Sequence, residues 1–237
     1  EDWIGVIVQL RSTDEIFSFR PQISSSLHPF PFASHLQFLG KITLISSCSN
    51  RCILVDSMGK FVVITEGVAT SSTFPYEVQS VAVSEGSTWI VSREGNVFIS
   101  EGPSTDRWKE VPFDGNAQRV FVSSNGSYVW ILSEGHAWAR EGIRKTNQIG
   151  SRWIKNEFSP PLISLTVGNS VVFGLSQEGQ LMRLRALSAL NVKGGEWALI
   201  SPSQSFSSIS LNVHSCLWLI TRQGRLVQHD ISIYHPN

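Results

Sequence analysis

Eight tryptophans, six histidines, six aspartates and three cysteines carry whatever chemistry this chain can do. A tryptophan ring offers a flat face to the C–H side of a pyranose, so Trp89, Trp130 and Trp218 are candidate sugar platforms. Their recurrence at one place in a repeated pattern favours packing over ligand contact. The histidines, at 28, 35, 136, 214, 229 and 235, are scattered, and neither a Cys-x-x-Cys pair nor a His-Glu-x-x-His run occurs. His214 and Cys216 are neighbours, but two ligands do not make a zinc site. The aspartates, at 2, 14, 56, 106, 114 and 230, fall mostly in turn-like contexts. No nucleophile elbow, phosphate-binding glycine loop or paired-carboxylate motif is present. The expectation is a non-catalytic chain with no metal and no cofactor.

Two stretches are candidate docking elements. Glu1-Asp2-Trp3-Ile4-Gly5-Val6 has the acidic-aromatic-x-x-aliphatic pattern with which extended peptides add to the sheet edge of ubiquitin-like autophagy modifiers, Trp3 and Val6 filling two pockets. Trp108-x-x-Val111 and Trp197-x-x-Ile200 fit the same loose pattern, so the repeat itself supplies it. Residues 21–36 contain Pro21, serines 24–26 and His28-Pro29-Phe30-Pro31-Phe32, which disfavours helix and strand. Phe30 and Phe32 are candidate anchors for a partner or a membrane surface. The plainer reading, rings folded back to plug a gap between blades, is favoured.

The elements that position these residues are hairpins. Ser87–Ser100 reads as two short strands, Trp89 and Val91 alternating on one arm, Val97 and Ile99 on the other, which argues half-buried strands. Ser92-Arg93-Glu94-Gly95 between them suits a type I turn closed by a left-handed residue. The unit returns around Gly135, one turn residue shorter, and around Gly179 and Gly224. It is recognisable around Gly59 and weakest around Asp14. Turns near 14, 59, 95, 135, 179 and 224 give a period of about 42 residues, which predicts an all-β, six-bladed propeller with four antiparallel strands per blade. Residues 1–237 then form a single domain. Strands are expected at Leu36–Leu39, in place of a strand over the Ser/Thr-rich residues 67–76, and at Ile231–Tyr234. Leu184–Leu190 is the one segment suited to a helical turn. Asn125-Gly126-Ser127 fits a glycosylation sequon, but is read as a hairpin turn.

Composition narrows the class. Hydrophobic residues make up 41% and charged residues 16% of the chain, which suits a compact β protein rather than disorder. Nineteen basic and nineteen acidic residues cancel, and no dense Lys/Arg run occurs, so a nucleic-acid partner has no support. Cys48, Cys52 and Cys216 read as ordinary strand cysteines in a reducing compartment. No signal peptide or transmembrane stretch is visible, and the sequence starts without Met, which suggests a processed protein or a fragment of a larger one.

The hairpin with its tryptophans, Trp89/Gly95/Trp108, Trp130/Gly135/Trp153, Phe173/Gly179/Trp197 and Trp218/Gly224, resembles the tectonin β-propeller repeat over residues 80–237. The earlier units depart from it: Ile53 and Val8 replace the tryptophan, and Asp14 replaces the glycine. The Gly-His and Trp-Asp signatures of WD propellers are absent. The resemblance implies one of two roles. One is a sugar-binding lectin. The other is an interaction domain of a large intracellular protein in autophagy or membrane traffic. Degenerate repeats and the missing leader favour the second, with proteins of that machinery as partners, glycans or a membrane surface as further ones, and a cytoplasmic, membrane-peripheral location.

Overall fold

The computed structural model describes residues 6–9, 16–19, 28–29, 41–48, 51–65, 68–102, 107–211 and 216–231. Every regular element among them is a β-strand. The first sheet of the main body holds β4 (Ile42–Ser47), β5 (Arg51–Asp56), β6 (Lys60–Thr65) and β7 (Val68–Thr73). The second holds β8 (Val78–Val83), β9 (Ser87–Ser92), β10 (Val97–Glu101) and β11 (Lys109–Val111). The third holds β12 (Arg119–Val122), β13 (Val129–Ser133), β14 (His136–Glu141) and β15 (Arg152–Lys155). The fourth holds β16 (Leu162–Val167), β17 (Val172–Ser176), β18 (Leu181–Leu184) and β19 (Trp197–Ser201). The fifth has three strands, β20 (Phe206–Leu211), β21 (Cys216–Thr221) and β22 (Leu226–Asp230). Each is an antiparallel meander in sequence order. Their first strands lie side by side in series, β4 against β8, β8 against β12, β12 against β16 and β16 against β20, which is the arrangement of propeller blades.

Among the described residues the propeller therefore has five blades of three or four strands, not six. The unit around position 14 forms only a separate ladder of β1 (Val6–Gln9), β2 (Ile16–Phe19) and β3 (His28–Pro29), which does not join the series of first strands among the described residues. Its third strand is two residues long and contains Pro29, which has no N–H to extend a ladder. The first blade also differs from expectation. Its fourth strand is β7, in the Ser/Thr-rich stretch read as a loop, because Val and Thr suit an outer strand as well as a turn. Leu36–Leu39 lies outside the described residues, as does the segment after Ile231.

The blades are not half-buried ribbons. All six positions of β5 and of β9 are buried, and the blade of β9 has a neighbouring blade on either side. Ile90 and Phe98 join the seam with the first blade, while Trp89, Val91, Val97 and Ile99 join the seam with the third. Period two in the sequence separates two buried faces here, not a wet one from a dry one.

Two backbone latches repeat between blades. The carbonyl of the hairpin glycine accepts a hydrogen bond from the N–H leading into the next first strand: Ala117 to Gly95 at 3.1 Å, Leu162 to Gly135 at 2.8 Å and Phe206 to Gly179 at 2.8 Å. The incoming chain passes so close that a Cβ on Gly179, at φ +83°, would meet the Phe206 oxygen at 2.7 Å. The glycine thus serves close approach as well as the turn. At the first strands, a hydroxyl of one blade accepts from the backbone N–H of the next. Val83 donates to Ser46 at 3.0 Å, Val120 to Ser80 at 3.1 Å and Leu211 to Thr166 at 2.9 Å. These strands are sheet edges, and the hydroxyls occupy donors that an edge leaves unpaired.

Candidate functional site

The tryptophans are used between blades. Trp89 is 0% exposed and its Nε1 donates to Ser87 Oγ at 3.1 Å. Its ring meets Trp153 of the next blade edge-on, centroids 6.2 Å apart. The Arg140 guanidinium stands 5.1 Å over the Trp153 ring and its Nε donates to the Ile149 carbonyl at 2.7 Å, in a setting whose desolvation lowers the arginine's pKa. One blade on, Trp130, also 0% exposed, packs in one cluster with Trp197. In both pairs the tryptophan of a second strand packs with the fourth-strand tryptophan of the following blade. Neither buried ring can offer a face to a sugar. Trp218 is only half-buried, and its neighbours on that side, Ile220 and Leu226, are 39% and 64% exposed.

The first strands form a second surface, the wall toward the axis. Four of the five carry a bulge at the same place, which turns out one extra residue: Thr43, Gln79, Ile163 and Ser207, all exposed. In the third blade, Arg119 stands at the start of the strand. It is the only charged residue in the five first strands. Its Nη1 donates to the Ile163 carbonyl at 2.9 Å and its guanidinium lies 5.3 Å from the Phe121 ring. Packing against the wall desolvates it and lowers its pKa, although part of the side chain remains open to solvent. Thr43 and Ser207 hydroxyls donate to carbonyls of their own second strands.

The third surface is a pair of matched loops that sequence reasoning missed. Residues 142–151 and 185–196 each join a third strand to a fourth. Each contains a tight antiparallel turn, closed by paired backbone hydrogen bonds between Arg144 and Asn147 and between Ser188 and Asn191. The segment suited to a helical turn is instead part of this turn. Ile143 and Ile149 seat the first loop on the Trp89 seam, and Leu187 and Val192 seat the second on the Trp130 seam. Asn156 of the third blade donates to the Lys193 and Gly195 carbonyls at 2.7 and 2.9 Å, tying the second loop to the preceding blade. The signal was legible: Ile143/Leu187, Asn147/Asn191, Gly150/Gly194 and Trp153/Trp197 recur at the same 44-residue offset as Gly135/Gly179.

Trp3, Phe30 and Phe32 lie outside the described residues. Val6 opens β1, paired opposite Phe19. Asn125-Gly126-Ser127 is a turn, with Gly126 at φ +73° and Asn125 Oδ1 accepting from the Ser127 N–H at 3.0 Å. Cys48, Cys52 and Cys216 form no disulfide; burial, with nearby Cys48 adding to it, pushes the Cys52 pKa up to about 12. Among the described residues no group of three or more His, Cys, Asp or Glu side chains is placed to hold a metal ion.

Known proteins match this geometry. The propeller family Hyd_WA matches residues 128–155, the third blade from its second to its fourth strand. Human tectonin beta-propeller repeat-containing protein 2 is 26% identical over 160 residues, which is 65% of this chain and 11% of that protein. The chain thus spans about a tenth of that relative's length. Among solved structures, a chain in the complex of Kap60 bound to yeast RCC1 (Prp20) superposes with a TM-score of 0.61 at 11% identity, over 86% of this chain and 58% of that one. YCF48 bound to D1 peptide superposes with a TM-score of 0.57 at 15% identity, over 82% and 68%. At such identities the structures speak to the fold alone. The chain is a β-propeller with a segment that matches the propeller family Hyd_WA and a distant similarity to a human tectonin-repeat protein.

Proposed function

We propose that this chain is a non-catalytic protein-interaction propeller of a larger intracellular protein that serves autophagy or membrane traffic. One observation carries the interaction reading: equivalent positions are alike in the seams and unlike on the surface. Ile53, Trp89, Trp130 and Phe173 are all fully buried and apolar. At the exposed wall position the blades carry Thr43, Gln79, Gln118, Ile163 and Ser207, one residue further on they carry Leu44, Ser80, Arg119, Ser164 and Ser208, and the loop tips read Arg-Lys-Thr-Asn in one blade and Ser-Ala-Leu-Asn in the next. A small ligand bound once per repeat needs the same side chains in each blade. A single large, asymmetric partner needs them to differ. Propeller neighbours support a protein partner, since one is a complex of Kap60 with yeast RCC1 and another holds a bound peptide. The autophagy and traffic assignment, and a cytoplasmic, membrane-peripheral location, rest on the tectonin resemblance of the repeat.

The test is affinity capture of partners from cell lysate on the folded 237-residue chain, beside a glycan array on the same sample. Reproducible capture of trafficking or autophagy proteins, lost when the domain is heat-unfolded, is the expected result. Sugar binding competed by free ligand, with no protein captured, would replace this reading with a lectin.

A further inference from the structure

We propose that the paired loops 142–151 and 185–196 form a basic edge that docks on an anionic phospholipid bilayer, with Leu190 inserting below the headgroups. The charge is concentrated there by the fold. Residues 141–152 and 183–196 carry Arg144, Lys145, Arg152, Arg183, Arg185 and Lys193 against Glu141 and Glu196, a net +4 in a chain whose net charge is zero. No basic run announces this, because the six cations come from two segments of neighbouring blades. One of the two acids is already engaged: Arg152 Nε lies 2.7 Å from Glu141 Oε2. Arg144, Lys145, Arg152 and Arg185 are exposed.

The loops are pre-organised. Their undersides are fixed on the Trp89 and Trp130 seams, and Asn191 Nδ2 donates to the Ala186 carbonyl at 3.0 Å, bracing the second turn from within. That turn holds Leu190 100% exposed at its tip, while Leu187 and Val192 of the same loop face inward. A protruding aliphatic group on a loop that carries Arg185 and Lys193, beside a loop that carries Arg144 and Lys145, suits a surface with an anionic skin and a soft apolar interior. Nucleic acid fits less well, since neither tip carries an aromatic ring for a base to stack on. The contact is independent of the protein partner proposed above, and the two experiments fail separately.

The experiment is co-sedimentation of the 237-residue chain with vesicles of phosphatidylcholine alone, or with about 30 mol% phosphatidylserine. Binding is expected only to the anionic vesicles, falling steeply with salt. Arg144→Glu with Lys145→Glu is expected to weaken it more than about tenfold, since each basic residue near such a surface contributes about fivefold. Leu190→Asp is expected to weaken it about fivefold or more through loss of the inserted side chain. Both alter exposed tips, and an unchanged melting temperature confirms that they fold. Met58→Asp, in a hairpin turn at the opposite ends of the strands, is expected to leave binding unchanged. No binding to anionic vesicles at low salt, or equal binding by the charge-reversed and native chains, overturns the proposal. So does binding indifferent to Leu190→Asp, or capture of an oligonucleotide in preference to vesicles.

Discussion

The seam after the third blade and the open side of the fifth begin from the same hairpin and end differently. In the third blade Trp130 lies under Trp197, Leu187 and Val192 of the fourth and is fully buried. In the fifth, Trp218 holds the same place in its second strand, but no blade of the described series follows it, and Ile220 and Leu226 beside it stay exposed. The glycines repeat the contrast. Gly179 is pressed by the Phe206 backbone, whereas a Cβ on Gly224 would meet nothing within 4 Å. A repeat signature therefore specifies what a residue offers. The neighbouring blade decides whether that offer becomes stability.

This comparison can be broken by substitution, the largest effect first. Trp89→Ala empties a fully buried site between Ser87 and Trp153 and is expected to cost about 3–5 kcal/mol in denaturant unfolding. Gly179→Ala forces a left-handed alanine against the Phe206 carbonyl and is expected to cost about 2–3 kcal/mol. Gly224→Ala, with the same φ but open space, is expected to cost about 1 kcal/mol. Equal losses at the two glycines would mean that close approach contributes nothing. Ser80→Ala leaves the Val120 N–H without its acceptor and is expected to cost about 1–2 kcal/mol.

Smaller effects sharpen the picture. Trp153→Phe keeps an aromatic ring against Trp89 and breaks no hydrogen bond, because Trp153 Nε1 has no protein acceptor; about 1 kcal/mol or less is expected. Cys52 tests burial in the first blade through pH. Its thiol holds a proton to about pH 12 when folded, while an unfolded cysteine releases it near pH ~8.5. The unfolded state then binds fewer protons, so this residue's contribution to stability is full below that lower value and declines as pH rises from it toward 12. Correspondingly, Cys52 is expected to resist a thiol reagent that modifies half-buried Cys48 and Cys216 in the native protein.

The sequence showed the blade hairpins well because turn chemistry is local. Gly59, Gly95, Gly135, Gly179 and Gly224 all adopt positive φ at the predicted turns. Gly135 is preceded by Glu134 at φ +51°, the mirror-type two-residue turn that explains the shorter hairpin there. Blade number was less legible, because Asp14 and Pro29 keep the hairpin periodicity while withholding the glycine and the ladder donor that a blade uses. Burial on both faces of β9 was hidden by alternation, which separates two faces without saying what covers them. The surface was read least. The basic edge is assembled from residues in two loops, and the bulged wall appears only when the first strands are lined up in space.

The most direct measurement is a side-by-side denaturant unfolding of Trp130→Ala and Trp218→Ala in the 237-residue chain. If the following blade is what converts the repeated aromatic into stability, Trp130→Ala loses about 3–5 kcal/mol and Trp218→Ala about 1 kcal/mol. Losses of equal size would contradict the account, and would place an equivalent packing partner over Trp218.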